Sequence, residues 1–193
     1  SDALPIHNRF TGNGKLDLEA KESIYLKQQG DAYLHKLTAG DTVSLTTVSG
    51  DGQNGTILDA SEEGKPAVSA EHIILKTAGK DASIGTADKK LSLAFKGTDN
   101  DLVVESVNDI YAAVGSVTDR KGNAADLTVK KAYSQLGSIL LDVNNDNHKT
   151  VTIADAEAAA AVTITSKKND AAVDHIKASD VRILVTDGEI RNA

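Results

Sequence analysis

Asp142, Asn144 and Asp146 stand at alternate positions in the run Asp142-Val143-Asn144-Asn145-Asp146-Asn147-His148. Three oxygen-bearing side chains spaced this way converge on a hard cation when the loop curls around it, which is calcium chemistry. The same residues also suit a plain Asn/Asp turn between strands at Ile139 and Val151, because both residue types tolerate left-handed φ. Calcium is thus the candidate ligand of Asp142, Asn144 and Asp146, and the sequence singles out no other cofactor.

Other chemistry finds less support. The histidines His7, His35, His72, His148 and His175 never pair at the i, i+2 or i, i+4 spacing of a local zinc site. No Gly-x-Ser-x-Gly turn singles out a serine nucleophile. Gly12-Asn13-Gly14-Lys15 and Gly50-Asp51-Gly52 precede no helix, so they read as tight turns and not as phosphate cradles. The four arginines, Arg9, Arg120, Arg182 and Arg191, are scattered. Asp99-Asn100-Asp101 and Asn169-Asp170 lack a third alternating ligand and read as loop tips, and the tyrosines Tyr25, Tyr33, Tyr111 and Tyr133 read as core or corner packing. No residue is assigned a catalytic role.

The elements that must position these residues are short strands. Apolar–x–apolar triplets recur throughout, for example Leu16-Asp17-Leu18, Val43-Ser44-Leu45, Leu91-Ser92-Leu93 and Val162-Thr163-Ile164. Period-two alternation sends the apolar residues to one face of a strand. Ile73-Ile74-Leu75, Leu102-Val103-Val104 and Ile139-Leu140-Leu141 are filled at the middle position too, which predicts cover on both faces. Turn formers such as Gly40-Asp41, Gly97-Thr98-Asp99-Asn100 and Gly122-Asn123 bound the triplets. Only Ala154 to Ala161 has helical composition, enough for two turns at most. The interior must be aliphatic: aromatics are 3% of 193 residues, with no Trp, Met or Cys. A unit of turn, polar residue and apolar triplet repeating about every 20 residues predicts stacked coils, about nine of them. The expected fold is all-β, a right-handed parallel β-helix (solenoid) of short strands over residues 14–193, with 1–13 as an N-terminal flanking segment. A β-sandwich is the alternative, although sandwiches usually bury a Trp or Tyr and use longer strands.

Two resemblances attach to these residues. The phrase from Asp142 to Ala156, with its Val151-Thr152-Ile153-Ala154-Asp155-Ala156, resembles the calcium loop of dockerin modules. It departs from that pattern in placing Asn147 at the glycine position and in setting Asp155 two residues late. The stretches Ile73 to Leu91 and Leu102 to Tyr111 resemble repeats of filamentous-haemagglutinin-like giant bacterial exoproteins. That resemblance, in style across roughly residues 14 to 190, implies a secreted or surface-borne parallel β-helix working in adhesion.

The net charge of −7 argues against a uniformly basic nucleic-acid footprint, and no apolar run is long enough to insert in a membrane. The start Ser-Asp-Ala-Leu-Pro, without an initiator Met, reads as a segment of a longer protein. The functional expectation is a non-enzymatic structural and adhesive segment at the cell surface. Its partners are a protein or glycan of a host or partner cell, and its open strand edges invite end-to-end self-association. A β-helical polysaccharide-acting enzyme and a calcium-dependent docking module are the alternatives.

Overall fold

The structure is a computed structural model and describes residues 6–9, 14–50, 52–144 and 148–193. Among them the chain forms β1 (Ile6–Arg9), β2 (Lys15–Ala20), β3 (Ile24–Gln29), β4 (Ala32–Ala39), β5 (Thr42–Val48), β6 (Ile57–Asp59), β7 (Val68–Ala70), β8 (His72–Thr77) and β9 (Leu91–Lys96). It continues with β10 (Asp101–Ser106), β11 (Ile110–Thr118), β12 (Leu127–Ser134), β13 (Ile139–Val143), β14 (Thr150–Ala158), β15 (Ala161–Lys167), β16 (Asp170–Lys177), β17 (Asp180–Thr186) and β18 (Ile190–Asn192). No helix forms among the described residues.

Successive strands go to alternate sheets, except that β6 and β7 both join the second. The first sheet runs β1-β3-β5-β8-β10-β12-β14-β16-β18, and the second runs β2-β4-β7-β9-β11-β13-β15-β17 with β6 also on β4. Every strand-to-strand ladder is parallel, for example β3 with β5 and β15 with β17. Parallel neighbours joined by a full turn of chain through an opposite sheet define a parallel β-solenoid, and the sandwich alternative is set aside. β1, which precedes residue 14, takes its place in the first sheet beside β3.

The interior is built of columns. In-register partners run Ile24, Val43, Ile73, Leu102, Val129, Ile153 and Val173 on the first sheet. On the second, Ala32, Ile57, Ile84, Ile110, Ile139, Val162 and Val181 follow one another. The positions from Val43 to Ile153 and from Ala32 to Val162 are buried. A winding of about 20 residues therefore holds at both ends, and the coils between Val43 and Val129 are longer. Phe95, stacked between Ala70 and Val117, is the one large ring buried among the described residues.

Four local expectations change. Ala154 to Ala161 is the end of β14 and the start of β15: two helical turns carry a costly nucleus, whereas β14 bonds to β12 on one side and β16 on the other. Ile74, Val103 and Leu140 lie half-buried on outer faces, because each wall is one strand thick and nothing is layered outside it. The four tyrosines also sit at outward strand positions, Tyr25 being 39% exposed, and none joins the core. Asn100, Asp101 and Asn169 are buried where the chain turns into the first sheet, and are not loop tips.

Candidate functional site

The longest coils break the regularity of the second sheet. After Ile57 the chain leaves the sheet at Asp59, bulges through residues 60–66 and returns at Val68. The next coil repeats this: Ile84 bridges to both Ile57 and Ile110, the chain turns at Thr86 and Lys89, and β9 begins at Leu91. Gly85 makes this possible with φ of +68°, since a Cβ there would stand 2.1 Å from the Tyr111 carbonyl oxygen. β11 in the following coil has no such excursion. Two stacked bulges thus form a wall, and the flat rungs beside them form a floor.

A groove of about 360 Å³ lies between, inside the usual size range of small-molecule sites. Glu62, Glu63 and Lys65 of the first bulge and Lys89 and Lys90 of the second line one side; Ala94, Ala113, Gly115, Ser116 and Asn144 line the other. The β11 ladder shifts register between Val114 and Ser116, leaving a β-bulge at Gly115 in the floor.

Asp59 fastens the two bulges. Its side chain is 1% exposed. It accepts hydrogen bonds from the Ser61 amide at 2.9 Å and hydroxyl at 2.7 Å, and from the Ser92 amide at 2.8 Å and hydroxyl. Lys89 Nζ adds an ion pair at 3.2 Å and also donates to the Ser61 carbonyl. Burial alone raises the Asp59 pKa; the serine hydrogen bonds outweigh it and hold the carboxyl below its ordinary value. Lys65 pairs with Glu62.

The sequence motif borders this groove. Asp142 faces outward on β13, in register with Ala113 on one side and Thr165 on the other. Because Ala113 is small, Lys90 reaches across β11 to the Asp142 carboxylate, and Thr165 donates to its other oxygen. Burial raises its pKa, and these partners lower it by more. A cation at Asp142 therefore competes with an ammonium and a hydroxyl already in place. Asn144 lines the groove and its amide caps β11 at the Val114 carbonyl. Asp146 and Asn147 lie outside the described residues. Asp155 is on β14 in the other sheet, so it belongs to a different face from Asp142.

A second polar assembly lies where the chain enters the first sheet, and no local spacing announced it. Glu71, 4% exposed, accepts the amides of Thr98 at 2.8 Å and Asp99 at 2.9 Å and pairs with Arg120 at 2.6 Å. These bonds outweigh its burial and lower its pKa. His72 Nδ1 lies 2.7 Å from Asp101, which also holds Lys130 at 2.7 Å. Asp41, one coil earlier, receives Ser23 and Thr42 hydroxyls. A signal was present: Asp41, Glu71 and Asn100 each stand two residues before an inward apolar column residue, so aligning the triplets stacks them.

Fold and site together define a parallel β-solenoid with a lateral groove raised from one wall by paired bulges. No family model, curated protein or solved structure matches the chain.

Proposed function

We propose that the chain is a non-enzymatic structural and adhesive segment of a large secreted or cell-surface protein, and that the groove beside residues 60–66 is its attachment surface for a glycan or protein of another cell. The observation that carries this reading is the groove's construction: two coils depart from the repeat, and buried Asp59 fixes both departures in place. Regular coils give a rigid wall, and bulged loops on a rigid wall are where binding surfaces form. Apart from Glu63, the groove's charges pair within the protein, Lys65 with Glu62, Lys89 with Asp59 and Lys90 with Asp142. Such a lining favours a hydroxyl-rich or neutral ligand over an ionic one.

Hydrolysis of a polysaccharide is the less favoured reading. A glycosidic general acid needs a raised pKa, whereas among the described residues every carboxylate with a resolved displacement moves downward, Asp59, Glu62, Glu71, Glu105, Asp119 and Asp142.

Gly115→Trp tests the attachment reading. A Cβ at Gly115 meets nothing within 4 Å, so a side chain there starts into open space on the groove floor. Immobilised protein is expected to retain mammalian or bacterial cells or to bind members of a glycan array. Gly115→Trp should cut that binding at least tenfold with an unchanged circular dichroism spectrum. No retention of any cell or glycan, or retention indifferent to the substitution, refutes the proposal.

A further inference from the structure

We propose that Asp155, Glu157 and His175 form a site for a divalent transition-metal ion of the zinc class on the outer face of the first sheet. β14 and β16 are neighbouring parallel strands, and Asp155 lies directly opposite His175. Glu157, two residues after Asp155, returns to the same face by the alternation of the strand. One carboxylate oxygen from each acid and one imidazole nitrogen lie within 4.8 Å of one another. His175 Nε2 and Glu157 Oε1 are already 3.3 Å apart. Ligand atoms about 2.1 Å from a tetrahedral ion are separated by about 3.4 Å, so small side-chain rotations bring the third donor in.

The comparison with Asp41, Glu71 and His72, which are grouped as closely, sharpens the assignment. There the protein supplies the partners: Arg120 and two amides on Glu71, Asp101 on His72, Ser23 and Thr42 on Asp41. The Asp155 carboxylate, by contrast, accepts no hydrogen bond and forms no ion pair among the described residues. Lys131, the cation that feels the Asp155 charge, is held by Glu105 at 2.8 Å. Tyr133 and Lys177 flank Glu157 in register. Two carboxylates and an imidazole are thus left facing one another. The nitrogen donor selects zinc, nickel or copper over calcium or magnesium. The three protein ligands leave a coordination position open, and the ion ties two successive coils together independently of the groove.

Calorimetric titration of the chelator-treated chain with zinc chloride, paired with visible absorption after cobalt(II) addition, tests the site. One ion per chain is expected, with at least tenfold weaker binding in His175→Ala and in Asp155→Asn, unchanged binding in His72→Ala, and no competition from millimolar calcium. All three substituted side chains are at least partly exposed, so circular dichroism should match the parent chain. Absence of saturable zinc binding, or binding and cobalt spectra indifferent to both His175→Ala and Asp155→Asn, overturns the proposal.

Discussion

Glu71 shows how a single residue holds several coils. Its carboxylate satisfies two backbone amides from the turn at Thr98 and Asp99 and a guanidinium from the loop at Arg120. Removing a buried acceptor strands its donors, so Glu71→Ala should cost about 2–3 kcal/mol in urea unfolding. Arg120→Ala removes an exposed partner and should cost clearly less, because Glu71 keeps its two amide bonds. The same residue contributes to acid lability. Its folded pKa is depressed from the usual 4.5, so its contribution is complete above that value and is lost as pH falls through the lower folded one. Melting temperature should therefore drop below about pH 4.5, and less steeply in Glu71→Gln; equal slopes in the two proteins would rule out this linkage. Sequence reasoning located Asp142 and Asn144 because their spacing is local. It passed over Asp59 and Glu71 because Ser92 lies 33 residues from Asp59 and Arg120 lies 49 from Glu71, distances that only the coil register closes.

Strands and turns were more legible, since each apolar triplet reports its own inward face. Val43-Ser44-Leu45 and Val162-Thr163-Ile164 place their outer residues inward as their alternation requires. What the triplets do not report is the polar column at the end of the first sheet. Thr47 pairs in register with Thr77 and Ser106 with Ser134, and all four are buried. Thr77 bonds Ser106 at 3.0 Å, while Ser106 and Ser134 donate to the turn carbonyls of Ala82 and Asn108. In a chain rich in Ser and Thr, a hydroxyl that closes a turn looks like any other until the coils are stacked. Turns also differ in what they demand of glycine. Gly85 and Gly122 both have positive φ, +68° and +88°, but a Cβ at Gly122 meets nothing within 4 Å whereas at Gly85 it meets the Tyr111 carbonyl and the Leu91 amide nitrogen. Gly122→Ala should cost about 1 kcal/mol, the left-handed penalty alone. Gly85→Ala should cost well beyond that and loosen the second bulge. Similar losses in chemical denaturation would mean that backbone proximity at Gly85 has no energetic weight.

Across the whole molecule, stability has to be distributed along a line. Each coil contacts its neighbours, so order propagates by nearest-neighbour terms and not through a central nucleus. The middle coils are bonded on both sides: β10 pairs with β8 and β12, and their inward residues Ile73, Leu75 and Leu102 are fully buried. Among the described residues β17 bonds only β15 and β18 bonds only β16. There Val181, which continues the column of Ile139 and Val162, is 46% exposed, and Ile190 is 54% exposed. Opening β17 and β18 forfeits little apolar burial, whereas opening β8 or β10 exposes two interfaces at once. Native-state hydrogen exchange should therefore be graded along the chain. In the 193-residue chain, amides in Asp180–Asn192 should exchange first, those in His72–Ser106 last, and the intervening coils in order of distance from β18. The gradient should persist in low urea and converge only near the global transition. Equal protection of the Asp180–Asn192 and His72–Ser106 amides would mean that the coils open only together, contrary to a stack held by neighbour contacts.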